Sequence, residues 1–290
     1  LTIHLVCGLK EDMVQHRFAF ERPRLPAPLL AAASSAGAQA QQAYAATALA
    51  RRLALAREVI PHEYEAGKPR LARLLGEADV LLEPLRRQRR KVETAASANP
   101  QVVMLLPGFA THPMRMRYLA RQLESAGHVV KGWGQGFNWG PDEQRFEALE
   151  ARLTDIHVRH GRPVVLIGWS LGGLFARELA KRQPGNVAKV ISMGSPFSGS
   201  PRANNVWRAY QFITGHSVDA PPIKAELAVK PPVETVALWS ANDGMIAPRC
   251  AAGRAGERDR AIPLRCTHLG FTYDPQVIAT LLAELENTRA

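Results

Sequence analysis

Residues 164–180 read VVLIGWSLGGLFARELA, and no other stretch limits the fold so tightly. Val164 to Ile167 form a short apolar run of strand-forming side chains, and Leu171 onward reads as helix. The change is made within Gly168-Trp169-Ser170-Leu171-Gly172. A strand that turns directly into a helix brings the two backbones close together. Glycines at 168 and 172 remove the Cβ atoms that would collide. The serine between them has no such relief, so its backbone is strained and its hydroxyl is displayed. Such a turn opens at the C-terminal edge of a sheet, where open α/β folds bind ligands. The plain structural alternative is a tight turn with a serine helix cap.

The rest of the chain after residue 100 fits that turn. Strand patterns at 101–106, 128–133, 163–168, 187–193, 234–240 and 261–265 alternate with helical patterns at 113–126, 142–159, 171–183 and 275–288. Alternation of this kind predicts an α/β fold with a mostly parallel sheet and helices on both faces. Residues 197–233 break the rhythm; their length, prolines and aromatics predict a lid-like insertion over the domain 101–290. Residues 1–100 differ in character. An Ala-rich stretch at 27–60 and apolar positions 71, 74, 75, 78, 81, 82 and 85 predict a helical N-terminal extension, with Pro84 as a break. The run RRQRRK at 86–91 reads as a solvated helix terminus, and 94–100 as a linker.

A serine hydroxyl is a weak nucleophile and needs a base, which in turn needs an orienting acid. On a fold of this type the chain order is serine, acid, histidine. Of nine histidines only His268 follows the last candidate acid loop. Asp243, in a turn just past the strand 234–240, meets the requirement for the acid, and Asp259 is second. The oxyanion formed in acyl transfer needs two backbone N–H donors. Leu171, after the serine, supplies one, and Phe109, in the loop after the strand 101–106, supplies the other. Phe197, Trp207, Tyr210 and Phe212 in the insertion are candidates for an acyl-binding wall or for a small core of its own.

The pieces LLPGF, GWSLGG, GSPFSG, SANDGMIAP and CTHLGF occur in that order. Together they resemble the α/β-hydrolase superfamily, in particular bacterial lipases and esterases, over about two thirds of the chain. The resemblance implies carboxylic ester hydrolysis through a serine acyl-enzyme, with Ser170, Asp243 and His268 as catalytic residues and no cofactor. Pro107 departs from the histidine that such lipases often carry there. Residues 1–100 do not resemble the fold's usual first strands. An acyltransferase on the same scaffold, or a non-catalytic hydrolase-fold binding protein, are the alternatives.

Other features point elsewhere only weakly. The net charge is +11, but basic residues are not interleaved with aromatics as in nucleic-acid grooves, so a small-molecule or lipid ester is expected as partner and nucleic acid is not. No apolar run is long enough for a transmembrane helix, which leaves room for peripheral lipid contact. The N-terminus makes a poor signal peptide, Met13 is a candidate start, and a cytoplasmic location is expected. KGWGQGFNWG at 131–140 lacks a dinucleotide-site spacing and reads as a flexible loop near the site. His112 reads as a helix-start partner, and Asp155, His157 and His160 as a solvated face rather than a metal site. Cys7 stands alone; whether Cys250 and Cys266 bridge is open.

Overall fold

The computed structural model describes residues 43, 47–59, 67–83 and 94–288. Cys7, Met13, Pro84, the basic run 86–91 and most of the Ala-rich stretch before Ala48 lie outside the described residues. The residues from Ala48 onward form one compact unit.

In chain order the elements are α1 (Ala48–Ala56), α2 (Ala72–Glu77), β1 (Val102–Leu106), α3 (Arg117–Ser125), β2 (Val129–Gly132), α4 (Glu143–His160), β3 (Val164–Trp169), α5 (Leu171–Arg182), β4 (Val187–Met193), α6 (Trp207–Thr214), β5 (Glu234–Ser240), α7 (Pro248–Ala252), β6 (Arg260–Leu264) and α8 (Pro275–Glu286). The six strands pair in the order β2-β1-β3-β4-β5-β6, all parallel. The predicted strands and four helices are therefore present within a few residues; α6 and α7, inside irregular sequence, are additions.

Strand periodicity divides the core into two layers. Val103, Leu105, Val165, Ile167, Ile191 and Leu238 point to one face, where Leu119 and Leu123 of α3 and Val277, Ile278 and Leu281 of α8 meet them. Val102, Met104, Leu106, Val164, Leu166 and Val190 point to the other, against α4 and α5. The central strands are buried on both sides, which is why they read as continuous apolar runs. On α4 the buried residues are Phe146, Leu149, Leu153 and Ile156, one stripe at helical spacing. Asp142 caps its start by accepting the Arg145 N–H at 2.8 Å, and Gly161 ends it in a left-handed conformation.

The segment before β1 contradicts its own pattern. On α2 and the turn after it, Leu71, Leu75 and Leu81 are exposed, while Glu77 and Glu83 are buried. The amphipathic reading thus has the wrong face inward: Glu77 is met by N–H groups of the loops after β5 and β6, and Glu83 by Arg115. α1 lies on α6. Gln211 donates to the Leu55 carbonyl at 2.6 Å, and Arg208 donates to that of Ala56 at 2.7 Å.

Candidate active site

The turn after β3 has the predicted strain. Ser170 adopts φ +54°, a region rare for a residue with a Cβ. A Cβ on Gly168 would stand 2.3 Å from the Gly172 carbonyl oxygen, and one on Gly172 would stand 2.2 Å from that of Leu106. Both clashes are with backbone, so neither can relax by moving a side chain. Ser170 N–H donates to Met193 at 2.8 Å, which fastens the turn to β4.

Asp243 follows β5, His268 follows β6, and the structure brings them together. The His268 Nδ1 and Asp243 Oδ2 are 2.8 Å apart, both residues being buried. A carboxylate only accepts, so Nδ1 is the donor and Nε2 is left with its lone pair. Asp243 Oδ1 is filled by the N–H groups of Met245 and Ile246, each at 2.8 Å. Burial alone would push the imidazole pKa down, but the charge of Asp243, the hydrogen bond to it and the charge of Glu77 outweigh that and leave it raised above the ordinary histidine value. His268 also lies against the serine turn: the Trp169 indole N–H donates to its carbonyl at 3.1 Å, and the two rings are 5.6 Å apart. Gly194, at φ +55°, leaves room for the pair, since a Cβ there would stand 3.1 Å from both Asp243 Oδ2 and His268 Nδ1.

Asp259 is placed elsewhere. It accepts from the Thr235 N–H at 2.8 Å and pairs with Lys230 at 2.6 Å, at the start of β5. His112 accepts from the Met114 N–H at 3.2 Å and starts a short turn of 3-10 helix. Asp155 is paired with Arg159 at 2.7 Å. Cys250 and Cys266 are free, buried thiols, so no covalent link joins the acid loop to the histidine loop.

The loop after β1 comes up against Ser170: a Cβ on Gly108 would lie 3.3 Å from the serine Cβ. Its shape depends on a residue the sequence did not single out. Asn138 is fully buried, donates its side-chain N–H to the Pro107 carbonyl at 2.8 Å, and accepts the Ala110 N–H on its own carbonyl at 2.7 Å. Ala110 sits at φ +52°. The stretch 131–140, expected to be a flexible loop, is therefore anchored at Asn138. A polar residue flanked by Phe137 and Trp139 gives no periodic signal.

Ser170 opens on an apolar pocket. Phe109, Leu171, Phe175, Trp207, Tyr210 and Ile223 are among its lining residues. Of the four aromatics nominated in the insertion, Trp207 and Tyr210 are in the wall. Phe197 is not: it lies under the Arg177 guanidinium, 4.1 Å from ring centroid to Cζ. Phe212 is 37% exposed and also does not line it. Arg177 donates to the carbonyls of Leu227, Val229 and Glu257, which pins the end of the segment 197–233 and the loop before β6 to α5. Burial lowers the pKa of Arg177 to about 10.

A parallel α/β sheet that presents a serine on a strained turn at its C-terminal edge, beside a buried carboxylate–histidine pair, defines a narrow class of proteins. The profile of the family described as the alpha/beta hydrolase fold matches residues 101–245, half of the chain. The chain belongs to that family. Among solved structures it is similar to the mature form of Bacillus licheniformis lipase BlEst2, at 14% identity over 67% of this chain and 96% of that one, with a TM-score of 0.50. It is equally similar in fold to a structure of the metagenome-derived lipolytic enzymes LipS and LipT, at 15% identity over 67% of this chain and 96% of that one, also with a TM-score of 0.50. At such identities the likeness is one of fold. No curated protein matches by sequence. Among the described residues no helix is long and apolar enough to cross a membrane.

Proposed function

We propose that the protein is a serine carboxylic ester hydrolase acting through Ser170, His268 and Asp243. The observation that carries this reading is the 2.8 Å His268–Asp243 contact beside a serine strained at φ +54° and open to the apolar cavity. His268 Nε2 takes the Ser170 proton as Oγ attacks the ester carbonyl, and Asp243 holds the imidazolium that forms. The Leu171 N–H, at the first position of α5, has no partner within the helix and lies in the favourable field of its N-terminus. Together with the Phe109 N–H it binds the oxyanion. The proton on His268 passes to the leaving alcohol, and water activated by the same imidazole releases the acid from Ser170.

The segment 197–233 acts as a cap over the acyl chain, with Trp207 and Tyr210 as its wall; Phe197 serves its internal packing. The substrate is an ester with an apolar acyl group. A p-nitrophenyl ester series with the full chain tests this. Ser170→Ala is expected to lower kcat by roughly 10⁵–10⁶ and to abolish labelling by a fluorophosphonate probe. Labelling at another serine, or turnover retained in the variant, would overturn the reading.

A further inference from the structure

Glu77 is a carboxylate buried to 5% exposure at the end of a helix whose Leu75 faces solvent. Burying an ionisable group costs free energy unless its hydrogen bonds are made. Here they are. Oε1 accepts the Gly244 N–H at 3.0 Å and the His268 N–H at 2.8 Å, and Oε2 accepts the Leu269 N–H at 2.9 Å. Gly244 adjoins Asp243. One carboxylate from outside the family-matched stretch therefore holds the backbone at both members of the acid–histidine pair. The fit is close: a Cβ on Gly244 would stand 2.5 Å from the Arg73 carbonyl oxygen, so only glycine lets α2 lie on the acid loop.

The surroundings of the imidazole make the same point. The charged groups that act on it are Asp243 from the acid loop and Glu77 from α2; Trp169 and Phe271 pack their rings around it. Arg115, held 3.2 Å from Glu83 and 3.5 Å from the Leu269 carbonyl, is the cation that shares this corner and feels the charge of Glu77.

We propose that Glu77 is a positioning residue of the hydrolytic site, tying the acid loop to the histidine loop so that Asp243 and His268 stay in register. The proposal rests on Asp243 and His268 being catalytic. A purely structural carboxylate would set stability alone. A positioning carboxylate also sets the behaviour of His268, which can be read without substrate.

The full chain is labelled with ¹³C and ¹⁵N in histidine, and the His268 signal is identified by its loss in His268→Gln. Glu77→Gln keeps the shape but loses the charge and turns an N–H₂ toward either Leu269 or Gly244 and His268. The His268 pKa is expected to fall by roughly 0.5–1 unit. In ester hydrolysis kcat is expected to fall about tenfold with KM within twofold. Glu77→Asp keeps the charge but draws it back by one methylene, so kcat falls while the His268 pKa holds. An unchanged His268 pKa in Glu77→Gln, or rate losses that only follow the folded fraction, would overturn the proposal. Failure of both variants to fold would overturn it too and leave Glu77 a structural residue. Absence of ester turnover in the wild type would sink the hydrolase reading instead, and the titration would still report whether Glu77 sets His268.

Discussion

The turn that carries Ser170 and the two loops that carry Asp243 and His268 are held in place by different means. Around Ser170 the constraint is steric: the glycines that permit the turn lie within two positions of the serine, and the backbone they pass belongs to the same turn and to β1. Around Asp243 and His268 the constraint is long-range. Trp169 reaches the His268 carbonyl, the Ser240 hydroxyl reaches that of Cys266 at 2.5 Å, and Glu77 reaches three N–H groups 167 to 192 residues away in sequence. A steric constraint is rigid because backbone meets backbone. A long-range one is assembled from separate hydrogen bonds, each worth about 1 kcal/mol net, or about 1.5–3 kcal/mol where a charge takes part. The first fails abruptly when broken, and the second by degrees.

The sharpest way to break the comparison is at the glycines. Gly172→Ala places a Cβ 2.2 Å from the Leu106 carbonyl oxygen and 2.7 Å from that of Pro107. Neither strand nor helix can move without disturbing the core. The expected result is a loss of about 3 kcal/mol or more in stability, read as a large fall in Tm, with activity lost alongside it. A variant that melts within a few degrees of the wild type would show the turn to be more compliant than its geometry implies.

The same contrast explains what could be read from sequence. The central strands were legible because a strand buried on both faces is an uninterrupted apolar run, as Val102 to Leu106 is. Ser170 was legible because its constraint is written in its immediate neighbours. Asp243 and His268 followed from chain order. Glu77 and Asn138 were not legible. Each acts on residues distant in sequence, and each stands among apolar residues whose pattern carries a different message: Leu71, Leu75 and Leu81 predicted a buried face that the fold turns outward. Phe197 and Trp207 are both buried aromatics in one insertion, and nothing local told the packing residue from the pocket residue.

A milder test sharpens the long-range half. The proposed hydrolysis needs a neutral His268, and the pair with Asp243, helped by Glu77, raises its pKa. A raised pKa keeps the imidazole protonated to higher pH, so the acid limb of kcat/KM moves up. Its midpoint is expected above the ordinary histidine value of about 6.5, with a tenfold fall per pH unit below it. A midpoint at or below 6.5, in an assay limited by chemistry, would mean that desolvation outweighs the two carboxylates.

The smallest effect is expected at the thiols. Cys250 in α7 and Cys266 after β6 flank the two loops, with fifteen residues between them. Bridging them would have replaced hydrogen bonds with a covalent tie worth about 3 kcal/mol in the chain-entropy model. They are free instead, and both are at most 4% exposed. Burial raises the pKa of each, and for Cys266 the charges of Asp274 and Asp243 add to it. Little thiolate therefore forms near neutral pH, and little of it is accessible. Native protein treated with an alkylating reagent and mapped by peptide mass is expected to carry both cysteines unmodified until it is unfolded. Reductant is expected to leave Tm unchanged to within about 1 °C, since a 1 kcal/mol change would move it by about 2–4 °C in a chain of this size. A peptide pair linked through Cys250 and Cys266, together with a Tm that falls on reduction, would show that the loops are held covalently after all and would remove the distinction between a rigid turn and hydrogen-bonded loops.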